Sequence, residues 1–182
     1  KALNSERKIK TIIEGLIHES EDLREMALGR VKLYRKNNRI YKDLLKHLGD
    51  ERPYAAIALS LVIPKGENET KDRLLEKLAD KDNRIRERAA FVLGNVGDLG
   101  DETIVDGLLK LLEDSSEDVV KTAIESVCKI GNKGDDKIIS KMLLQLKRSS
   151  SIKAVAATGL SIIAERGEEK VIAGLTAISE DC

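Results

Sequence analysis

An internal repeat constrains the fold of this chain more than any other feature of its sequence. The segment 81–97, KDNRIRERAAFVLGNVG, aligns with the segment 115–131, SSEDVVKTAIESVCKIG, at a constant step of 34 residues (131 − 97). The matched positions are apolar or small: Ile85 with Val119, Ala89 with Ala123, Leu93 with Val127, Val96 with Ile130 and Gly97 with Gly131. A fixed period of this length is typical of stacked units, each of which buries its apolar face against its neighbours.

Further copies lie on both sides of these two segments. The segments 19–34 and 53–62 align with the third copy at shifts of 62 and 34 residues, and 151–164 follows the fourth copy at a shift of 33. We therefore predict a single repeat domain over residues 1–182. Its repeats are expected near 5–36, 37–66, 70–99, 102–133 and 135–166, with a final half repeat as a terminal helix at 168–179.

Each copy reads as two antiparallel helices. Aliphatic residues in the first half of a copy, such as Leu74, Leu75 and Leu78, are spaced by one, three and four residues, which places them on one face of an α-helix. The second half has the same spacing, and no long stretch alternates with the period of two that a strand requires. The predicted class is all-α, an α-α superhelix of about five two-helix repeats.

Two columns of the repeat predict the ends of the second helices. Serine or aspartate stands where each of four second helices should begin, as expected of N-cap residues: Ser20, Asp82, Ser116 and Ser149. Asn37, Gly97 and Gly131 follow second helices, and we expect the glycines to close them in the left-handed conformation. A third column consists of alanine, which allows close helix packing: Ala27, Ala55, Ala89, Ala123 and Ala156.

The segment 85–97 resembles the second helix of a HEAT repeat, of the short type found in bilin lyases. The resemblance extends over essentially the whole chain and is weakest in the second copy, where Pro53 and a shortened turn depart from the pattern. It implies an armadillo-like superhelix and usually a scaffold role, without a particular activity. It also implies a ladder between repeats of a turn aspartate and a helix arginine, matched by Asp82 with Arg86 and Asp22 with Arg24; the fourth copy has Val120 instead.

The residues that could carry chemistry are few. The two histidines, His18 and His47, and the two cysteines, Cys128 and Cys182, show no metal-ligand spacing. His18 with Glu19 is similar to one His-Glu pair of deoxyhypusine hydroxylase, but that family needs several such pairs, so a turn histidine is favoured. We predict no cofactor, no metal and no catalytic residue, and we do not expect an enzyme.

Cysteine usage and hydropathy bear on the compartment. Two cysteines are too few for a disulfide framework, and Cys128 occupies a position that is Gly94 in the preceding copy, so we expect a small buried residue there. The sequence contains no run of apolar residues long enough to span a membrane. We predict a cytoplasmic protein without a membrane partner.

Nucleic acid is an alternative partner. Basic residues cluster in two regions: Arg24, Arg30, Lys32, Arg35, Lys36, Arg39, Lys42 and Lys46, and then Lys129, Lys133, Lys137, Lys141, Lys147, Arg148 and Lys153. Phosphate binding needs such clusters. However, residues 67–134 carry 16 acidic against 11 basic residues, and only 2 % of the chain is aromatic, with no tryptophan. A solvated helix face is therefore the favoured interpretation of both clusters.

The favoured function is a non-catalytic scaffold that presents the concave face of its second helices to a protein or peptide. Outward positions on this face include Gly29, Ile57, Phe91, Glu125 and Thr158 and, one turn later, Leu33, Leu61, Asn95, Lys129 and Ile162. Exposed apolar and aromatic clusters usually mark contact sites. We predict a partner-binding site at Tyr54, Ile57, Leu61, Phe91 and Arg88. A regulatory or accessory part of a larger protein or enzyme complex is a further alternative.

Overall fold

A computed structural model describes residues 2–35, 37–64, 67–165 and 167–180, with the side chains of residues 6–177 in these ranges. Within them the chain forms α-helices and short 3-10 turns and contains no strand. The first six helices are α1 (Ala2–Leu16), α2 (Glu21–Val31), α3 (Asn38–Lys46), α4 (Tyr54–Val62), α5 (Asn68–Lys77) and α6 (Asn83–Val96). The next five are α7 (Glu102–Lys110), α8 (Glu117–Ile130), α9 (Asp136–Gln145), α10 (Ser150–Ile163) and α11 (Glu169–Glu180). The all-α class is confirmed.

The chain consists of two compact units, a first unit of residues 1–96 and a second unit of residues 97–182. The first unit contains α1–α6 and the second contains α7–α11. That the whole chain acts as a single domain stays a prediction.

In the first unit, consecutive helices pack as pairs, and the second helices of these pairs also pack on one another. α1 contacts α2, α3 contacts α4 and α5 contacts α6, while α4 contacts both α2 and α6. The buried faces are aliphatic, as the apolar spacing of the sequence requires, and their fully buried members include Leu16, Leu44, Leu59 and Leu93. The second helices therefore share one core with the first helices and keep their opposite face for solvent.

The second unit is built in the same way. α7 pairs with α8 and α9 with α10, α8 packs on α10, and α11 contacts α9. Ile104, Leu108, Ile124 and Leu160 are completely buried in this core. The predicted terminal helix at 168–179 corresponds to α11 (Glu169–Glu180).

The alanine column lies in both cores. All five alanines are at most 6 % exposed, and those at 89, 123 and 156 are completely buried. The first pair shows how closely the helices approach there, because a Cβ atom built on Gly15 of α1 would lie 2.9 Å from the Cβ of Ala27 on α2. A side chain larger than alanine in this column would force the helices apart.

The N-cap column lies at the predicted helix starts, but its hydrogen bonds differ from the prediction. The Asp82 side chain caps as expected, accepting a 2.9 Å bond from the Arg84 backbone N–H. The hydroxyls of Ser20 and Ser149 make no capping bond in the described part of the chain. The backbone N–H of the cap residue instead donates to the side chain two residues earlier, from Ser20 to His18 Nδ1, from Asp82 to Asp80 and from Ser116 to Asp114.

The predicted left-handed glycines at the helix ends are wrong. Gly131 is extended (φ −73°, ψ 145°), and the glycines with positive φ in the described residues are Gly100, Gly134 and Gly167, which again recur at steps of 34 and 33. Gly131 is needed for space, since its Cβ would lie 2.5 Å from Ile138 Cδ1. Asn37 caps the start of α3, where it accepts a bond from the Arg39 N–H.

Candidate functional site

Four of the five predicted contact residues are partly exposed apolar side chains on the second helices of the first unit. Tyr54, Ile57 and Leu61 are three and four residues apart on one face of α4, and Phe91 lies on the neighbouring helix α6. All four are half-buried. We call these four residues the apolar strip. Its side chains are held by packing and still present part of their surface to solvent.

Tyr54 is oriented by an arginine from the preceding helix pair. The guanidinium of Arg24 lies 4.9 Å from the centre of the Tyr54 ring, within the range of a cation–π contact. Arg24 is itself 7 % exposed, and its Nη1 donates to the backbone oxygens of His18 at 2.7 Å and Glu19 at 2.6 Å. The turn between α1 and α2 thus fixes the arginine on which the tyrosine ring stacks.

Arg88, the fifth predicted residue, is buried between two helix pairs. Its Nη1 donates to the backbone oxygens of Leu48, at 2.5 Å, and Asp50, and its Nη2 donates to that of Glu51 at 3.1 Å. Burial lowers the pKa of Arg88, because desolvation disfavours the charged form. With 7 % of its surface exposed, Arg88 ties α6 to the loop after α3, and its contact with a partner stays a prediction.

Two arginines of the column implied by the family resemblance, Arg24 and Arg86, fasten the turn within their own repeats. Arg86 Nη1 donates to the backbone oxygens of Asp80 and Lys81, six and five residues earlier, as Arg24 does to those of His18 and Glu19. The Asp82 carboxylate binds the Arg84 guanidinium at 2.8 Å, which lowers the pKa of Asp82. These contacts stay within one turn, whereas the resemblance implied a ladder between repeats.

Many of the basic residues in the two clusters already have acidic or carbonyl partners. Pairs between first helices or the turns that follow them are Arg39 with Glu6, Lys42 with Glu69, Lys137 with Asp106 and Lys141 with Glu113. Arg148 donates to the backbone oxygens of Leu112 and Asp114. Lys36 lies outside the described residues. A phosphate would have to displace these partners, which weakens the case for a nucleic-acid surface.

The second unit has an open groove at the same repeat positions as the apolar strip. The groove lies between α8 and α10, has a volume of about 430 Å³ and is lined by Ile124, Glu125, Cys128, Lys129, Ala154, Val155, Thr158, Gly159 and Ile162. We call it the α8–α10 groove. The repeat alignment placed four of these residues on the outward face. The sequence-based selection missed the groove because it favoured aromatic positions.

Cys128 lines this groove and is half-buried, so the prediction that this residue is buried is wrong. Burial and the charge of Glu125 raise the pKa of its thiol to about 11. The thiol is therefore neutral near pH 7 and adds to the apolar character of the groove.

A larger groove lies between α1 and α3 in the first unit, on the first helices. It encloses about 800 Å³, and charged side chains of both signs line it. The pairs of Arg39 with Glu6 and of Lys46 with Asp43 lie among these lining residues and neutralise part of the charge.

The histidines occupy turns. His18 Nδ1 accepts the Ser20 backbone N–H at 3.0 Å, and His47 Nδ1 lies 2.9 Å from Asp50 Oδ2. In the described ranges no group of histidine, cysteine, aspartate and glutamate residues is arranged to hold a metal ion. No helix in the same ranges has the length and hydropathy needed to cross a membrane.

Comparison with known proteins agrees with this architecture. A family model described as HEAT repeats matches residues 71–161, which is half of the chain. No curated protein is significantly similar in sequence. Similar solved structures include an engineered protein (20 % identity, TM-score 0.53, covering 95 % of this chain and 89 % of that one). They also include a designed armadillo repeat protein (19 %, 0.52, 95 % and 90 %) and computationally designed armadillo repeat proteins for modular peptide recognition (19 %, 0.50, 95 % and 90 %). At these identities the likeness concerns the fold.

Proposed function

We propose a binding function for this chain, which belongs to the HEAT-repeat family. The chain acts as a non-catalytic scaffold in the cytoplasm, and its second helices present a surface to a protein or peptide. The apolar strip of Tyr54, Ile57, Leu61 and Phe91 makes the first contact. Arg88 holds α6 against the loop that follows α3 and in this way supports the strip.

The observation that carries this proposal is the composition of the apolar strip. The chain has three tyrosines and one phenylalanine. One of these tyrosines, Tyr54, and the phenylalanine lie on adjacent helices, and they are half-buried, as are the aliphatic residues Ile57 and Leu61. Burying such side chains in the core would be more favourable for an isolated chain. Aromatic residues in partly exposed apolar clusters are enriched among the residues that dominate binding energy.

The packing beneath the strip suits a scaffold. Leu59 of α4 and Ala89 of α6 are completely buried, the two helices pack on one another, and the Arg24 guanidinium lies over the Tyr54 ring. A surface held in place before binding loses less conformational entropy when the partner arrives. A structural neighbour designed for modular peptide recognition makes peptides a reasonable class of partner to test beside folded proteins.

The test is quantitative affinity capture with the wild type and strip variants as baits. Phe91→Ser and Ile57→Lys should each reduce recovery of the captured partners by roughly tenfold or more. Leu99→Ser is the matched control, because Leu99 is 72 % exposed and belongs to the second unit. Circular dichroism confirms that each bait is folded. Undiminished capture by both strip variants would contradict the proposed function.

Nucleic acid is tested in the same preparation. Because several basic residues of the two clusters are paired with acidic residues, we expect the protein to elute from heparin at low salt, as a solvated surface would. Retention that falls steeply with rising salt would favour the nucleic-acid alternative.

A further inference from the structure

We propose that the α8–α10 groove is a second docking site and that it binds a short linear peptide segment. The segment places an aliphatic side chain against Cys128 and Gly159 and a lysine or arginine side chain against Glu125. This inference rests on the proposed scaffold function but uses residues that are separate from the apolar strip.

The groove exists because one wall is made of small residues. A Cβ atom built on Gly159 would lie 3.0 Å from Cys128 Sγ and 3.1 Å from Ile124 Cγ2, so α8 and α10 approach closely at this point. Ala154 and Thr158 are one turn apart on α10, and both are exposed. Their short side chains leave the space above the contact open, where bulkier residues would fill it.

The interior of the groove suits an apolar group. The Thr158 hydroxyl already donates to the Ala154 backbone oxygen at 3.0 Å, so it requires no partner from a ligand. The Cys128 thiol is neutral at physiological pH, and Ile162 is 47 % exposed at one end. An aliphatic side chain in this position covers exposed apolar surface without leaving a polar group unpaired.

The rim supplies one unmatched charge. Glu125 is exposed and forms no ion pair with any other residue that the structure describes. Lys129, one turn further along α8, has an interaction of its own within the chain. The available rim charge is therefore a carboxylate, and a cationic side chain beside the aliphatic one is its complement.

The size of the groove limits the segment. The lining residues on α10 run from position 154 to 162, which corresponds to about 12 Å along the helix axis. An extended peptide covers this distance with roughly four residues. The groove thus suits a short linear motif better than the broad face of a folded domain.

The experiment is selection of a phage-displayed library of random 12-residue peptides on the folded full chain carrying Cys182→Ser. We expect enriched peptides that contain an aliphatic residue beside lysine or arginine. Fluorescently labelled copies of these peptides are then titrated against variants. Ala154→Trp fills the groove from an exposed position and should weaken binding roughly tenfold, as should Ile162→Asp. Glu125→Gln should weaken it roughly threefold to tenfold and reduce its salt dependence.

Matched controls separate the groove from general surface effects. Ser140→Trp adds the same bulk to an exposed position of α9, and Glu117→Gln removes an exposed carboxylate from the first turn of α8. Both should bind within twofold of the parent. Bound peptide should also slow alkylation of Cys128.

Two results would overturn the inference: no enriched peptide, or enriched peptides indifferent to Ala154→Trp and Ile162→Asp. Peptides that lose binding with Phe91→Ser but not with Ala154→Trp would overturn the groove and support the apolar strip. Peptides that keep their affinity for Phe91→Ser and lose it with Ala154→Trp would support the groove independently of the strip.

Discussion

The two units carry different side chains at the same outward positions of the repeat. In the first unit these positions hold Ile57, Leu61 and Phe91, which form the apolar strip, whereas in the second unit Glu125 and Thr158 leave a groove of about 430 Å³. The inner column is alanine in both units and is buried in both. The inner column therefore packs the stack in both units, whereas the outward positions differ between them, as expected if they specify a partner.

A second comparison concerns how each unit joins successive helix pairs. In the first unit, Arg88 on α6 donates to the backbone oxygens of Leu48 and Asp50, and in the second unit Arg148, just before α10, donates to those of Leu112 and Asp114. The acceptors are equivalent positions of the repeat, 64 residues apart (112 − 48), but the two arginines are 60 residues apart (148 − 88). The same bond is therefore reached from different positions in the sequence.

The largest expected effect lies in the shared inner column. Ala89→Leu in the first unit and Ala123→Leu in the second should each destabilise the protein by about 3 kcal/mol, because both alanines are completely buried and the added atoms have no space. Urea denaturation measures the loss. Ala154→Leu, at an exposed position, should change stability by less than about 0.5 kcal/mol. If either buried variant has the same urea midpoint as the parent, the alanine columns of the two units are not equivalent.

The next effect distinguishes the two arginines. Arg88→Met should cost about 2 kcal/mol, because three bonds from a buried cation to backbone oxygens are lost. Arg148→Met should cost about 1 kcal/mol, because Arg148 is half-buried and solvent can replace it at the carbonyls. Equal losses of stability in the two variants, measured by urea denaturation, would show that the difference in burial between Arg88 and Arg148 has no effect on stability.

Glycine substitutions should have opposite signs in the two units. Gly134→Ala should destabilise by about 1 kcal/mol, because φ is +70° and the added Cβ would lie 3.1 Å from Glu165. Gly29→Ala should stabilise by roughly 0.5–1 kcal/mol, because Gly29 lies within α2 and its Cβ would meet no atom within 4 Å. Thermal unfolding of the two variants measures both signs. A Gly134→Ala variant that unfolds at or above the temperature of the parent would show that this turn tolerates a side chain.

The smallest effects belong to the ion pairs between first helices or their turns. Lys42 lowers the pKa of Glu69 in the first unit, and Lys141 lowers that of Glu113 in the second. A pKa that is lower in the folded state than in the unfolded state stabilises the protein when the pH is above the unfolded-state pKa. This stabilisation is lost as the pH falls through the folded-state pKa. Lys42→Gln and Lys141→Gln should raise these pKa values in NMR titrations while leaving urea midpoints at neutral pH almost unchanged. A large shift of the urea midpoint in either variant would show that its ion pair contributes substantially to stability.

The parts of the fold that were predictable are those that leave a periodic trace. Burial of one helix face repeats with the stack, so the helices and the column containing Ala89 were visible in the sequence. Glycine was harder to interpret, because Gly131 serves close packing and Gly134 serves a left-handed turn, although both recur with the same period. The bonds of Arg88 were not predictable, since backbone oxygens accept them and these have no sequence signature.

The candidate site was predictable in part for a similar reason. Alignment of the repeats identified the outward positions, including Phe91 and Thr158, without showing whether the surface there is flat or open. The groove depends on the small size of its lining residues, above all Gly159 and Ala154. A sequence does not show whether a small residue allows close packing or leaves open space. Distinguishing these requires the distance between α8 and α10.

Hydrogen–deuterium exchange, measured on the free chain and on the chain bound to a captured partner, tests whether the second helices carry the binding surface. We expect binding to slow amide exchange in α4 and α6 for a partner of the apolar strip, and in α8 and α10 for a partner of the groove. The first helices α1, α3 and α9 should exchange as they do in the free chain. Slowed exchange confined to those first helices would contradict the assignment of binding to the second-helix surface.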